Sequence, residues 1–174
     1  ANVEHKVSLI SGIHDLLPNR TGGAIMQKNL EILGDIQYTQ DEIDFALDMQ
    51  KANGKPQIGI DGKIRPLRET LESPGGGSTD VGDVSYNMPV VSLAATTAPK
   101  GVPWHSWSVV ASSGMSIGHK GMLHAAKALG MSMIDIYKDK KLREEIKKEF
   151  DERIGDYDYD PYLNPGPPPI DYVD

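Results

Sequence analysis

Met88-Pro89-Val90-Val91-Ser92-Leu93-Ala94-Ala95 is a near-continuous apolar run of strand length. Runs of this kind mark a strand covered on both faces, as in a sheet layered with helices. It therefore predicts an α/β chain. Upstream stands Ser73-Pro74-Gly75-Gly76-Gly77-Ser78-Thr79-Asp80-Val81-Gly82-Asp83, whose three consecutive glycines after a proline belong to no helix or strand interior. The segment bends sharply and delivers short polar side chains, Ser78, Thr79, Asp80 and Asp83. Downstream, Pro103-Trp104-His105-Ser106-Trp107 sets one imidazole between the two tryptophans of the chain. Together these read as a half-apolar pocket with one directed ligand, against the plainer reading of a solvated turn followed by a core histidine.

The 174 residues suffice for one domain with a core. The net charge of −7, with 25 acidic against 18 basic residues, is concentrated near the C-terminus, and no basic stripe is present. Nucleic acid is therefore not an expected partner. No cysteine occurs, which excludes disulfides and thiolate chemistry and fits a reducing, cytoplasmic compartment. No apolar run approaches the roughly 20 residues of a membrane span, so no membrane association is expected. The N-terminus has no signal-peptide form and enters directly into a strand pattern, which reads as a cut from a longer protein.

Val3 to Ile10 alternates apolar and polar residues and predicts a half-buried strand. Gly12 to Asn19 is a bend punctuated by Pro18-Asn19. Thr21 or Asn19 caps a helix over 22–33, which Gly34 ends. Thr39-Gln40-Asp41-Glu42 has capping-box spacing and opens a helix to Asn53-Gly54, burying Ile43 and Leu47 with Phe45 and Met49. Ile58 to Ile64 is either a small hairpin or an irregular loop. Ser106 to Ser112, rich in valine, is a further strand candidate. A helix over 116–129 carries Gly118, Gly121 and Ala125 on one stripe for close packing, and Gly130 closes it. The last helix, over 139–154, buries Leu142, Ile146 and Phe150. The Pro- and Tyr-rich tail either hangs free or clamps a surface through Tyr157, Tyr159, Tyr162 and Tyr172.

Of the five histidines, none pairs with another at metal-binding spacing on one helix. His5 and His124 read as strand and packing residues, whereas His14 in the bend and His119 near a helix start are candidates to line a site. A nucleophile elbow at Ser78 lacks the glycine two places on, and no Lys-Ser/Thr follows the glycines to make a phosphate loop.

Several features occur in one order: Gly77-Ser78-Thr79-Asp80-Val81-Gly82-Asp83-Val84-Ser85, a buried strand, a histidine after Pro103-Trp104, and Ser116-Ile117-Gly118-His119-Lys120-Gly121 opening a helix. This order resembles the C-terminal portion of the dinuclear-metal amidohydrolase/aminopeptidase family, which includes aminoacylase, the auxin-conjugate hydrolases and glutamate-releasing carboxypeptidases. Gly12 to Asn19 is similar to that family's return from an inserted lid domain. The resemblance spans roughly residues 3–128. It implies the C-terminal half of a three-layer metallopeptidase-type catalytic domain. Residues 1–16 would be the last lid strand and the return, 17–154 the C-terminal part of the catalytic domain, and 155–174 an acidic tail.

By the same resemblance His105 is the last metal ligand of a site for two divalent ions, zinc or manganese. Gly77, Ser78 and Asp80 shape the pocket, Asn19 is the hinge asparagine, Trp104 and Trp107 wall the pocket, and His119 lies beside it. The implied reaction is cleavage of the amide bond of a small N-acyl amino acid of the aminobenzoyl-glutamate kind. The family's other ligands and its glutamate general base lie in an N-terminal half that nothing here matches, so no catalytic residue is assigned in this chain. Its expected partners are that missing half and a second copy or companion subunit. The alternative is a non-catalytic module whose glycine loop and tryptophans bind a ligand or partner chain.

Overall fold

The computed structural model describes residues 3–7, 9–67, 77–163 and 166–167. They form six helices: α1 (Arg20–Leu33), α2 (Gln40–Ala52), α3 (Val81–Ser85), α4 (Trp107–Ser113), α5 (Ser116–Lys138) and α6 (Lys140–Ile154). No described helix is long and apolar enough to cross a membrane.

The start of α1 shows how its sequence is satisfied. Asn19, not Thr21, is the cap: its Oδ1 accepts the Gly22 N–H at 2.8 Å. The Arg20 and Thr21 amides donate to the two carboxylate oxygens of Glu149 on α6, each at 2.7 Å. A carboxylate there both fills orphan donors and meets the positive end of the helix dipole. Asn19 also donates through Nδ2 to the Ile146 carbonyl, tying α6 to the same point.

The capping box of α2 forms as its spacing predicts, with Glu42 accepting the Thr39 N–H and Thr39 Oγ1 accepting the Glu42 N–H. Its buried face is Glu42, Ala46, Met49 and Gln50, while Ile43, Phe45 and Leu47 are only half-buried. Met26, Leu30 and Ala128 form the apolar centre between α1 and α5, with Leu33, Ile64, Val91 and Leu93 packed on it.

The predicted strands fare differently from the helices. The described residues are mostly helical and contain only two isolated bridges, Ser11 with Leu163 and Pro18 with Val90. The three-layer α/β sandwich is therefore not formed by these residues alone. Described residues between 3 and 7 belong to no strand, and Val3 and Val7 are exposed. Ser106 to Ser112 is not a strand but the start of α4. The serines decide it: Ser108 and Ser112, one helical turn apart, are fully buried. Ser108 Oγ donates to Asn53 Oδ1 at 3.0 Å and Ser112 Oγ to the Ser108 carbonyl at 2.7 Å. Small residues on the inner face set the helical period, leaving Val110 exposed. Residues 88–95 carry one bridge, at Val90, and no ladder.

Helix α5 also departs from expectation by running through Gly130 to Lys138. A mid-helix glycine costs about 1 kcal/mol relative to alanine, and the turns after it are held by Asn29 of α1, whose Nδ2 donates to Ser132 Oγ at 3.0 Å and to Asp135 Oδ2 at 2.9 Å. Gly118 and Gly121 do permit close packing. A Cβ on either would overlap backbone, at Ser113 and Thr96 respectively, so the tight partners are the end of α4 and an extended segment rather than a sheet.

Candidate metal and substrate site

The loop into α3 begins, among described residues, at Gly77; Ser73 to Gly76 lie outside them. Gly77, Ser78, Thr79 and Asp80 are exposed, and Thr79 Oγ1 accepts the Val81 N–H at 3.3 Å. The loop is anchored just downstream. A Cβ on Gly82 would overlap the His14 carbonyl, so only glycine lets α3 lie against the bend.

That bend supplies an aromatic cage. His14 is 6% exposed, stacked on Tyr162 with centroids 4.3 Å apart and 5° between planes, and flanked by Tyr86, Tyr157 and Tyr159. Its Nδ1 lies 2.9 Å from Asp83 Oδ1 and its Nε2 2.6 Å from the Tyr157 hydroxyl. A carboxylate only accepts, so Nδ1 carries the proton toward Asp83, and Nε2 shares its hydrogen bond with the Tyr157 hydroxyl. The Tyr159 hydroxyl donates to the same Asp83 oxygen at 3.1 Å. The His14 hydrogen bond, aided by that of Tyr159 against the opposing effect of burial, holds the Asp83 carboxyl below its usual range. The tail thus clamps through Tyr157, Tyr159 and Tyr162, and Gly12 N–H donates to the Tyr162 carbonyl at 2.7 Å. Tyr172 lies outside the described residues.

His105 occupies a separate turn. Gly101 and His105 both have positive φ, 77° and 57°, and His105 is the one non-glycine residue with this backbone among those described. Buried Val102 anchors the turn, and Ser106 Oγ donates to the Pro103 carbonyl at 2.5 Å. His105 is exposed, with Trp104 71% and Trp107 59% exposed beside it. Trp104 borders a cleft of about 620 Å³ between α1, residues 61–67 and residues 92–104. His124 also lines this cleft, and its Nε2 is buried with no hydrogen-bond partner. His119 is exposed on α5, whereas Asn19 is buried and occupied in capping α1.

Among the described residues no three His, Asp or Glu side chains converge on a point that would hold a metal ion. No hydrogen bond, ion pair or ring contact joins Ser78 or Asp80 to His105, Trp104, Trp107 or His119. Zinc takes three or four ligands. The described residues alone therefore do not make a zinc site.

Two polar ties went unread in the sequence. Gln50 is fully buried: its Nε2 donates to the carbonyls of Gly59 and Lys100, and its Oε1 accepts the N–H groups of Ile58 and Gly59, all at 2.8–2.9 Å. It holds loop 58–59 against the stretch of chain that leads to His105. Glu42, beyond its cap, receives Lys120 Nζ at 2.6 Å from α5. Burial pulls its carboxyl upward, but hydrogen bonds from Lys120, Ser116 and the Thr39 amide outweigh it and bring the pKa from 4.5 to about 2.

The chain is similar to one of the subunits of p-aminobenzoyl-glutamate hydrolase from Escherichia coli strain K12, with 32% identity over 157 residues. The alignment takes in 76% of this chain but 33% of the relative, so the chain spans about a third of that protein's length. No family model matches the chain. No solved structure matches it.

Proposed function

We propose that this chain is the C-terminal part of a metal-dependent amidohydrolase that cleaves the amide bond of an N-acyl amino acid of the aminobenzoyl-glutamate kind. The observation that carries the reading is the similarity to a p-aminobenzoyl-glutamate hydrolase subunit across most of this chain. The backbone of His105 supports it, since a non-glycine residue held at φ 57° on an exposed turn is the kind of local strain that collects at functional sites.

In this reading His105 would give a neutral imidazole to one of two divalent ions, zinc or manganese, which would supply Lewis-acid activation of water to the complete site. Gly77, Ser78 and Asp80 shape the substrate pocket, Trp104 and Trp107 supply its aromatic wall, and His119 lies at its margin. Asn19 acts by fixing the return segment to α1 and α6. The remaining ligands and the general base come from outside these 174 residues, and the companion is the rest of the same protein, a second copy or another subunit. The compartment is cytoplasmic.

The 174-residue chain is accordingly inactive alone. Hydrolysis of aminobenzoyl-glutamate is to be assayed with added Zn²⁺ or Mn²⁺, for this chain and for the chain continuous with its upstream coding sequence. Turnover only by the longer protein, lost in His105→Ala, is expected. Robust turnover by the short chain sinks the division of ligands, and no turnover by either sinks the amidohydrolase reading.

A further inference from the structure

Helix α3 is a single turn of five residues, and its N-cap, Asp80, makes no side-chain capping bond. A helix this short does not hold itself in water, so its place is set by what it touches. The bend touches it first. The Leu17 N–H donates to Ser85 Oγ at 2.9 Å, and the Tyr86 hydroxyl donates to Asp15 Oδ1 at 2.8 Å. The tail touches it second. The Tyr159 hydroxyl donates to Asp83 Oδ1 at 3.1 Å, and the rings of Tyr157 and Tyr86 stand 5.2 Å apart. Asp83 is thus gripped from two sides, by His14 of the bend and by Tyr159 of the tail.

The tail does not hold itself either. Residues 157–163 contain no helix and one isolated bridge, Leu163 with Ser11. They are fastened to the body by that bridge, by the Gly12 N–H on the Tyr162 carbonyl, and by three tyrosine rings gathered on His14. Tyr157 and Tyr162 remain exposed on their outer sides. The segment leaves α6 at Gly155, whose φ of 56° suits a hinge. A segment fastened by a few partly exposed contacts opens at a lower free energy than the fold as a whole.

We propose that residues 157–162 are a reversible strap that sets the loop Gly77 to Asp80 by fixing Asp83, with Tyr157 and Tyr159 as positioning residues. The role rests on the reading above that Gly77, Ser78 and Asp80 shape the substrate pocket. Asp83 lies three residues past Asp80, and the Val84 N–H donates to the Asp80 carbonyl at 3.4 Å, so movement of this turn carries the end of the loop with it. With the strap docked, the loop ends on a fixed turn. With it undocked, Asp83 loses Tyr159, His14 loses its cover, and α3 rests on the bend alone. Substrate affinity thereby depends on whether the tail is docked.

Amide hydrogen exchange and steady-state kinetics test the strap together. In the 174-residue chain the Val84 and Tyr86 amides, bonded to the carbonyls of Asp80 and Asp83, report α3. Tyr159→Phe removes only the hydroxyl on Asp83, and a chain ended after Asp156 removes the strap. In both, these amides are expected to exchange at least ~5-fold faster, while amides inside α5 keep their rates. A synthetic peptide of residues 157–174 should restore the slow rate to the shortened chain. Unchanged α3 exchange in Tyr159→Phe overturns the strap, and so does equal acceleration in α5, which makes the tail a brace of the whole fold. In the chain continuous with its upstream coding sequence, Tyr159→Phe should raise KM for aminobenzoyl-glutamate about 3–10-fold and leave kcat within about 2-fold. A fall in kcat at unchanged KM overturns the positioning role. No turnover by the unaltered long protein removes the amidohydrolase reading instead, and the exchange rates still decide whether the tail sets the loop.

Discussion

Gln50→Met is the sharpest test of how the turn bearing His105 is held. Methionine is close to glutamine in length and volume, so the change removes four hydrogen bonds while leaving the space largely filled. The Ile58 amide is at an exposed position and turns to water, and the Gly59 carbonyl keeps the Lys100 amide at 3.3 Å. The buried Gly59 N–H and the Lys100 carbonyl are left without partners. Each unpaired group costs about 1–3 kcal/mol, so a loss of about 3 kcal/mol is expected. With a urea slope of about 1–3 kcal/mol per molar, the midpoint should fall by about 1–3 M. Far-UV circular dichroism suits a chain this helical, and exchange of the Gly59 amide reports the loop itself. A midpoint within about 0.3 M of the parent, with the Gly59 amide still protected, would refute the reasoning and show that the loop is held without Gln50.

Acid should act on the pairing of Glu42 with Lys120. Because the folded pKa is depressed from 4.5 to about 2, its stabilisation is complete above 4.5 and is lost as pH falls through that window. Urea midpoints at about pH 6 and about pH 3 should therefore diverge less in Glu42→Gln than in the parent, and an equal difference in both counts against the role of this carboxylate. Tyr157→Phe leaves the buried His14 Nε2 without its hydrogen-bond partner, for a loss of about 1–2 kcal/mol. Faster proteolytic cleavage within residues 157–163 should accompany it, and cleavage at the parental rate would mean the tail is not latched there. His105→Gly should be more stable than His105→Ala by about 1 kcal/mol, since only glycine occupies a φ of 57° without strain; the reverse order in urea melts would refute the strain.

Helix starts were legible because their signals are local, whereas Gly130 misled as the end of α5. Thr39 with Glu42, Asn19 ahead of residues 20–33 and Asp139 ahead of α6 each act on amides two or three residues away. Strands were not legible, because a strand exists only with its neighbour. The alternation of residues 3–10 and the apolar run at 88–95 describe faces that await covering, and nothing local supplies the cover. In Ser106 to Ser112 the valines outweighed the serines in a reading by propensity, yet Asn53, some fifty residues upstream, selects the helix by accepting from Ser108. Of the candidate site, the turn at His105 and the loop at Ser78 were read as one half-apolar pocket, whereas both are exposed and no hydrogen bond joins them. The ties at His14, Gln50 and Lys120 rest on separations that sequence reading does not see.

Those ties also explain why a helical chain with so few apolar contacts holds together. Among the described residues, nine apolar side chains are buried and nine polar or charged ones are buried beside them. Interiors are ordinarily weighted far more toward apolar residues. Meanwhile Met122, Leu129, Met133 and Tyr137 form an exposed stripe along α5, and Trp104, Val110 and Ile58 are exposed elsewhere. The apolar material is thus present but lies on the outside, while Asn19, Gln50, Glu42 and His14 do the joining within. Polar ties fix geometry strongly but add little net stability, since each exchanges bonds with water for bonds within the protein. A chain organised this way has its geometry fixed by polar ties more than by a deep apolar core.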